Sequence, residues 1–118
     1  MSEYATQCAV VGYLTLALPK GCGVVWTHFQ AGGGGHVRGA MLKRAGLRAG
    51  MPDLVIFHDG LTFFIELKTD NGRLSKAQAE CHADLWDAGC PVAVCRSVDE
   101  VERILASWKI PTRIARAA

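Results

Sequence analysis

Apolar and polar positions alternate along the chain in two rhythms, one with the period of helices and one with that of strands. Residues 3–18 are rich in Leu, Ala and Val with no proline before Pro19, which predicts a helix. Apolar residues ring most of its circumference, so the helix is expected to be covered on two sides, by a sheet and by a second subunit. Gly21-Cys22-Gly23 mark its end. VVWTHFQ, Val24 to Gln30, then alternates as a strand, with Val25, Thr27 and Phe29 on one face and Trp26, His28 and Gln30 on the other. AGGGGHVRG reads as a flexible loop that orders on a partner, because successive glycines lose much backbone freedom on ordering. A phosphate-cradling loop would continue Lys-Ser/Thr, whereas His36-Val37-Arg38 follow here, so a nucleotide-binding P-loop is excluded. AMLKRAG adds one short helix ended by Gly46.

PDLVIF and LTFFIELK predict two strands joined at Asp59-Gly60, a strong hairpin signal between apolar runs. SKAQAECHADLWDAG predicts a helix capped by Ser75, with Gln78 at the capping-box spacing and Gly89 as the stop. CPVAVCRS lacks alternating charge and reads as a central, covered strand. SVDEVERILASW predicts a last helix capped by Ser97, with acids in its first turn. The fold class is therefore α/β, with a mixed sheet flanked by helices. One domain over residues 1–110 and a basic tail over 111–118 are expected, with the closing stretch KIPTRIARAA, Lys109 to Ala118, fraying.

The hairpin turns the charge pattern into a geometric expectation. With a two-residue turn at Asp59-Gly60, His58 faces Leu61 and Asp53 faces Glu66. Directly opposed Cβ atoms lie roughly 4.5–5.5 Å apart. Lys68 projects from the same face as Glu66. Opposed acids repel, and a divalent cation with hard oxygen ligands removes that conflict. Such an ion polarises a phosphate oxygen, and a nearby lysine orients water or stabilises phosphoryl charge, which together serve phosphodiester hydrolysis. A solvated acid–base trio is the plain alternative.

Composition sets the outer limits. Half of the 118 residues are hydrophobic, enough for a real core, and the longest apolar runs are too short to span a bilayer. The start MSEYATQ carries an acid and no basic segment, so a soluble cytoplasmic protein without a signal peptide is expected. The five cysteines lack zinc-ribbon spacing and are expected to be reduced thiols, several of them buried. Cys81-His82 matches a nucleophile and base by type, but sequence neighbours on a helix point apart. Net charge is +2 but uneven: residues 1–50 carry +4, mostly Arg38, Lys43, Arg44 and Arg48, either a phosphate-facing patch or a solvated segment. His28 and His36 read as structural, and Trp26, Trp86 and Trp108 as packing residues rather than base-stacking ones.

The segments GMPDL, IELK, GRLSKAQ, AGCPVAV and RSVDEV resemble the VRR-NUC family, a branch of the PD-(D/E)XK nuclease superfamily with stand-alone phage and bacterial members. The resemblance implies a restriction-endonuclease-like αβββαβ core with a four-stranded mixed sheet. It implies an Mg²⁺- or Mn²⁺-dependent DNA endonuclease, in stand-alone members a homodimer that cuts branched DNA such as four-way (Holliday) junctions in repair or recombination. Carried over to this sequence, Asp53 and Glu66 are metal carboxylates, joined by the Leu67 carbonyl, and Lys68 is the catalytic lysine. Gln78 matches a glutamine bordering the site, and Glu3 an acid on the first helix near the metal or water. Arg38, Lys43, Arg44 and Arg48 stand where the family's Val-Arg-Arg element would be, as candidate DNA contacts. A non-catalytic DNA-binding module of the same fold, or a nuclease for unbranched or flap DNA, are the alternatives.

Overall fold

A computed structural model describes residues 1–29 and 35–113. Gln30 of the expected first strand, residues 31–34 of the flexible loop expected over 31–39, and the tail end over 114–118 lie outside the described residues. The elements run α1 (Glu3–Ala17), β1 (Val24–His28), α2 (Gly35–Arg44), β2 (Leu54–His58), β3 (Leu61–Leu67), α3 (Lys76–Asp87), β4 (Val92–Cys95) and α4 (Val98–Ser107). The sheet order is β1-β2-β3-β4, with β1–β2 and β2–β3 antiparallel and β3–β4 parallel. This is the expected four-stranded mixed sheet of an αβββαβ core, with α2 inserted and α4 added.

The hairpin forms as the sequence predicts. Asp59 and Gly60 both take positive φ, 53° and 76°, which suits a turn whose twist matches the flanking strands. His58 pairs with Leu61 and Leu54 with Ile65, so the next step along the ladder opposes Asp53 and Glu66.

Two cores flank the sheet. On one face, Val10, Leu14 and Ala17 of α1 and Val101 and Leu105 of α4 pack on Leu54, Ile56, Phe63, Ile65 and Leu67. On the other, Leu85 of α3 meets Val55, Phe64 and Val92. The strand directions then fix the helix directions. α1, α3 and α4 all start at the carboxyl ends of β3 and β4, and each starts on a serine cap: Ser2, Ser75 and Ser97. Three positive helix ends therefore gather at one end of the sheet, the end where Asp53 and Glu66 stand.

Within this chain α1 buries a single stripe (Thr6, Val10, Leu14, Ala17) and leaves Tyr4 and Leu16 exposed, because one sheet covers one side of the helix. Several expectations need correcting. The helix in the basic region starts at Gly35 rather than Ala40, taking in His36, Val37 and Arg38; an interior glycine such as Gly39 costs a helix only about 1 kcal/mol. β4 is an edge strand rather than a central one. Its apolar run reflects cover from helices on both faces, with Cys95 in one core and Val92 in the other. The chain after α4 does not fray at once: Ile110 is buried and the Arg113 N–H donates to the Ala17 carbonyl. Trp26 and Trp108 pack against the core, but Trp86 is exposed on α3.

One close approach ties the segment before β2 to the start of α3. Gly50 has φ 88°, and a Cβ built there would lie 2.3 Å from the Ala77 carbonyl oxygen and 2.9 Å from the Gln78 nitrogen. Both obstacles are backbone and cannot swing aside. Gly50→Ala is therefore expected to cost about 2–4 kcal/mol in urea unfolding. Gly12→Ala, in an exposed turn of α1 with open space around the new Cβ, is expected to be neutral or to add about 0.5–1 kcal/mol.

Candidate metal centre and its surroundings

Asp53 closes the β2 end of the hairpin. Its backbone carbonyl accepts from the Phe29 N–H at 2.8 Å, tying it to the end of β1. Its Oδ2 accepts from the Leu67 N–H at 2.7 Å, so the side chain takes a donor at the point where β3 leaves the antiparallel ladder. Pro52 before it is fully buried, and its ring presets the chain entering the strand. Glu66, one residue before Leu67, is only 1 % exposed. Glu3, in the first turn of α1, reaches the same point: Glu3, Asp53 and Glu66 each present a carboxylate oxygen, all within 4.8 Å of one another.

α3 supplies the donors that Glu66 needs. Gln78 Nε2 donates to Oε2 at 3.3 Å, and His82 Nε2 lies 3.2 Å from Oε1. The capping box decides the amide's orientation. Gln78 Oε1 accepts the Ser75 N–H at 2.9 Å, which turns the NH₂ group toward Glu66. Gln78 thus fills both roles open to it, cap and site neighbour, with one side chain. Lys68 follows on β3's outgoing strand, its side chain 12 % exposed and its Nζ 3.9 Å from Glu3.

The electrostatics are those of a crowded acid cluster. Burial first, and the facing Asp53 carboxyl second, push the Glu66 carboxyl up to about 8; Lys68 pulls the other way. His82 is lowered, by burial and then by Lys68, so its ring stays neutral near pH 7. A divalent cation fits this environment. Three carboxylates converge, all donors in the cluster are hard oxygens, and a nearby positive charge would favour the ionised form of the innermost acid against its burial and the facing Asp53.

The remaining candidates separate by place. Arg38, Lys43 and Arg44 lie on the exposed α2, between β1 and β2 at the site end of the sheet. Arg48 is engaged by Asp84 of α3 in a half-exposed ion pair. His28 pairs with Gln7 of α1 at 3.3 Å, outside the acid cluster, and His36 lies exposed on α2. Arg73 and Lys76 add exposed positive charge in the turn from β3 to α3, beyond the basic first half of the chain. Arg96 holds that turn in shape: its Nη1 donates to the carbonyls of Thr69 and, at 2.8 Å, Gly72. The residue that sequence reasoning missed is His82. In the sequence it stands out only as the neighbour of Cys81, whereas the telling spacing is to Gln78, four residues earlier on the same face of α3.

The raised Glu66 carboxyl has a thermodynamic consequence. An unfolded glutamate titrates near about 4.3, so from there up to about pH 8 the folded, metal-free protein holds the extra proton. Stability contributed by this group is full below the unfolded value and is lost as pH rises through the folded one. Thermal midpoints in EDTA are therefore expected to fall between about pH 5 and about pH 8, and Glu66→Gln should flatten that slope.

Comparisons with known proteins agree with this architecture. The sequence model of the VRR-NUC domain family matches residues 23–99, from just before β1 into the first turn of α4, leaving Glu3 outside the matched range. A solved structure described as a VRR_NUC domain protein is 24% identical, with a TM-score of 0.71, over 92% of this chain and 88% of its own. Another, described as a VRR_NUC domain, is 19% identical with a TM-score of 0.61, over 90% of this chain and 96% of its own. No curated protein matches the chain. The fold is shared with these structures, and from the extent of the sequence match this chain belongs to the VRR-NUC domain family.

Proposed function

We propose that this protein is a metal-dependent DNA endonuclease, selective for branched DNA such as four-way junctions and acting as a homodimer. The observation that carries the reading is the convergence of Asp53, Glu66 and Glu3 oxygens beside Lys68 at the end of the hairpin. Asp53, Glu66 and Glu3, with the Leu67 carbonyl, would hold Mg²⁺ or Mn²⁺. An ion held by these residues would supply positive charge to a phosphodiester and lower the pKa of bound water. Lys68, shielded and steered by Glu3, donates hydrogen bonds to the attacking water and to charge growing on the phosphate oxygens. Glu66 is kept in place by Gln78, whose amide is oriented by the cap of α3.

Arg38, Lys43 and Arg44 on α2, with Arg48, bind the DNA backbone. α2 has the character such a role needs: all its residues except Leu42 are exposed, and its basic residues include two in the last turn, Lys43 and Arg44. The three helix N-termini at the same end of the sheet add to the attraction for phosphates. A two-fold dimer brings two sites to two strands, as symmetric junction cutting requires. The reading extends to a single nuclease domain over residues 1–110, acting in DNA repair or recombination in the cytoplasm of a bacterial or phage-infected cell. No helix among the described residues is long and apolar enough to cross a membrane.

The test is cleavage of labelled four-way junction, flap and linear duplex with Mg²⁺, Mn²⁺ or EDTA. The junction is expected to be cut fastest and only with metal. Lys68→Ala is expected to lower the rate about 10²–10³-fold while junction binding persists. Failure of the wild type on every substrate with either metal would support a non-catalytic binding module instead. Preference for linear or flap DNA would move the substrate away from junctions. Junction affinity should fall steeply with salt, and neutralising Arg38, Lys43 and Arg44 should make the log–log slope shallower by about 0.9 for each phosphate those side chains had neutralised.

A further inference from the structure

Glu66 is a long, flexible side chain carrying a charge-bearing group into a place that is 1 % exposed. A carboxylate there must have its oxygens met by donors, or its burial is strongly unfavourable. Asp53 and Glu3 approach it as further acceptors and cannot do this. The donors come from a single face of α3, one per oxygen: Gln78 on Oε2 and His82 on Oε1. Their spacing of four residues stacks them one turn apart, so the helix grips the carboxylate at two points and fixes its rotation.

Resting on the metal site proposed above, we infer that His82 is a positioning residue that holds the Glu66 carboxylate, through an Nε2–H hydrogen bond to Oε1, in the orientation needed to bind the divalent cation. Three observations support it. The ring is itself buried, 7 % exposed, and is therefore held between α3 and the sheet rather than free to swing. Its bond to Glu66 is the one side-chain polar bond of His82 among the described residues, and it is long-range in sequence, between helix and strand. An ionised Glu66 can only accept, so Nε2 must carry the proton in the metal-binding state. A proton-transfer role is not supported, because Nε2 is already engaged and the side chain leaves almost no surface for water or phosphate to reach it. Outer partners of this kind set the orientation of metal-ligating carboxylates, and losing one costs about 10–100-fold in metal affinity.

The geometry also supplies its control. A glutamine amide nitrogen reaches the place of a histidine Nε2, whereas an asparagine amide stops at the place of Nδ1. Mn²⁺ binding is measured by isothermal titration calorimetry on the full chain, wild type beside His82→Asn and His82→Gln, with circular dichroism melts in EDTA to follow folding. His82→Asn is expected to bind Mn²⁺ at least about tenfold more weakly, and His82→Gln within about threefold of wild type. Equal binding by His82→Asn and wild type would overturn the inference, as would equal weakening of both variants, since that marks a packing role only. Should His82→Asn not fold, His82→Gln decides: affinity near wild type supports the donor role, and a tenfold loss contradicts it. Absence of Mn²⁺ binding by the wild type would instead remove the metal site itself, and the inference with it.

Discussion

Asp59 and Gly60 turn the chain with two consecutive positive-φ residues, and the pairing that starts there runs without a slip from His58–Leu61 to Leu54–Ile65. Everything at the other end of the sheet depends on that register. Side chains on a strand alternate faces, so a slip of one residue would send Glu66 to the α1 and α4 core and bring Ile65 or Leu67 against Gln78 and His82. The apolar residues resist such a slip. Ile65 and Leu67 are wholly buried on one face, and Phe64 packs on the other. The energy that fixes the position of the acids is therefore largely hydrophobic, and it comes from their apolar neighbours.

The same arrangement costs stability. A hairpin built only to fold would carry an apolar residue where Glu66 sits. Instead the sheet buries a carboxyl opposite a second one, and burial with Asp53 holds it protonated to about pH 8 until positive charge arrives. The surroundings limit the cost without removing it. Gln78 and His82 satisfy the oxygens, Lys68 adds positive charge next to Glu3, and three serine-capped helices have their positive ends at the same end of the sheet. Such a crowded pair of acids is what the divalent cation proposed above would neutralise.

Much of this is legible in the chain. The Asp-Gly turn between two apolar runs dictates the hairpin and the opposition of Asp53 and Glu66, because turn chemistry and period-two alternation are local properties. Ser75 and Gln78 mark the α3 cap for the same reason. What stays hidden is non-local. The edge position of β4 cannot be read from VAVC, since an edge strand covered on both faces is as apolar as a central one. The start of α2 at Gly35 is masked by glycines that resemble a loop. Ile110 looks like part of a fraying tail, and only the tertiary fold shows it packed beneath α1 and α4. His82 is obscured by its neighbour in sequence; its partner is on another element, sixteen positions away along the chain.

On the reading proposed above, Asp53 and Glu66, brought together by the hairpin, form a metal-binding pair. Anomalous diffraction from crystals soaked in MnCl₂ tests it most directly, because it locates the ion without relying on activity. A manganese peak is expected at about 2.0–2.3 Å from a carboxylate oxygen of both Asp53 and Glu66, on the side facing Glu3. A fully soaked crystal with no peak between those two residues, or with the ion bound elsewhere on the chain, would contradict it.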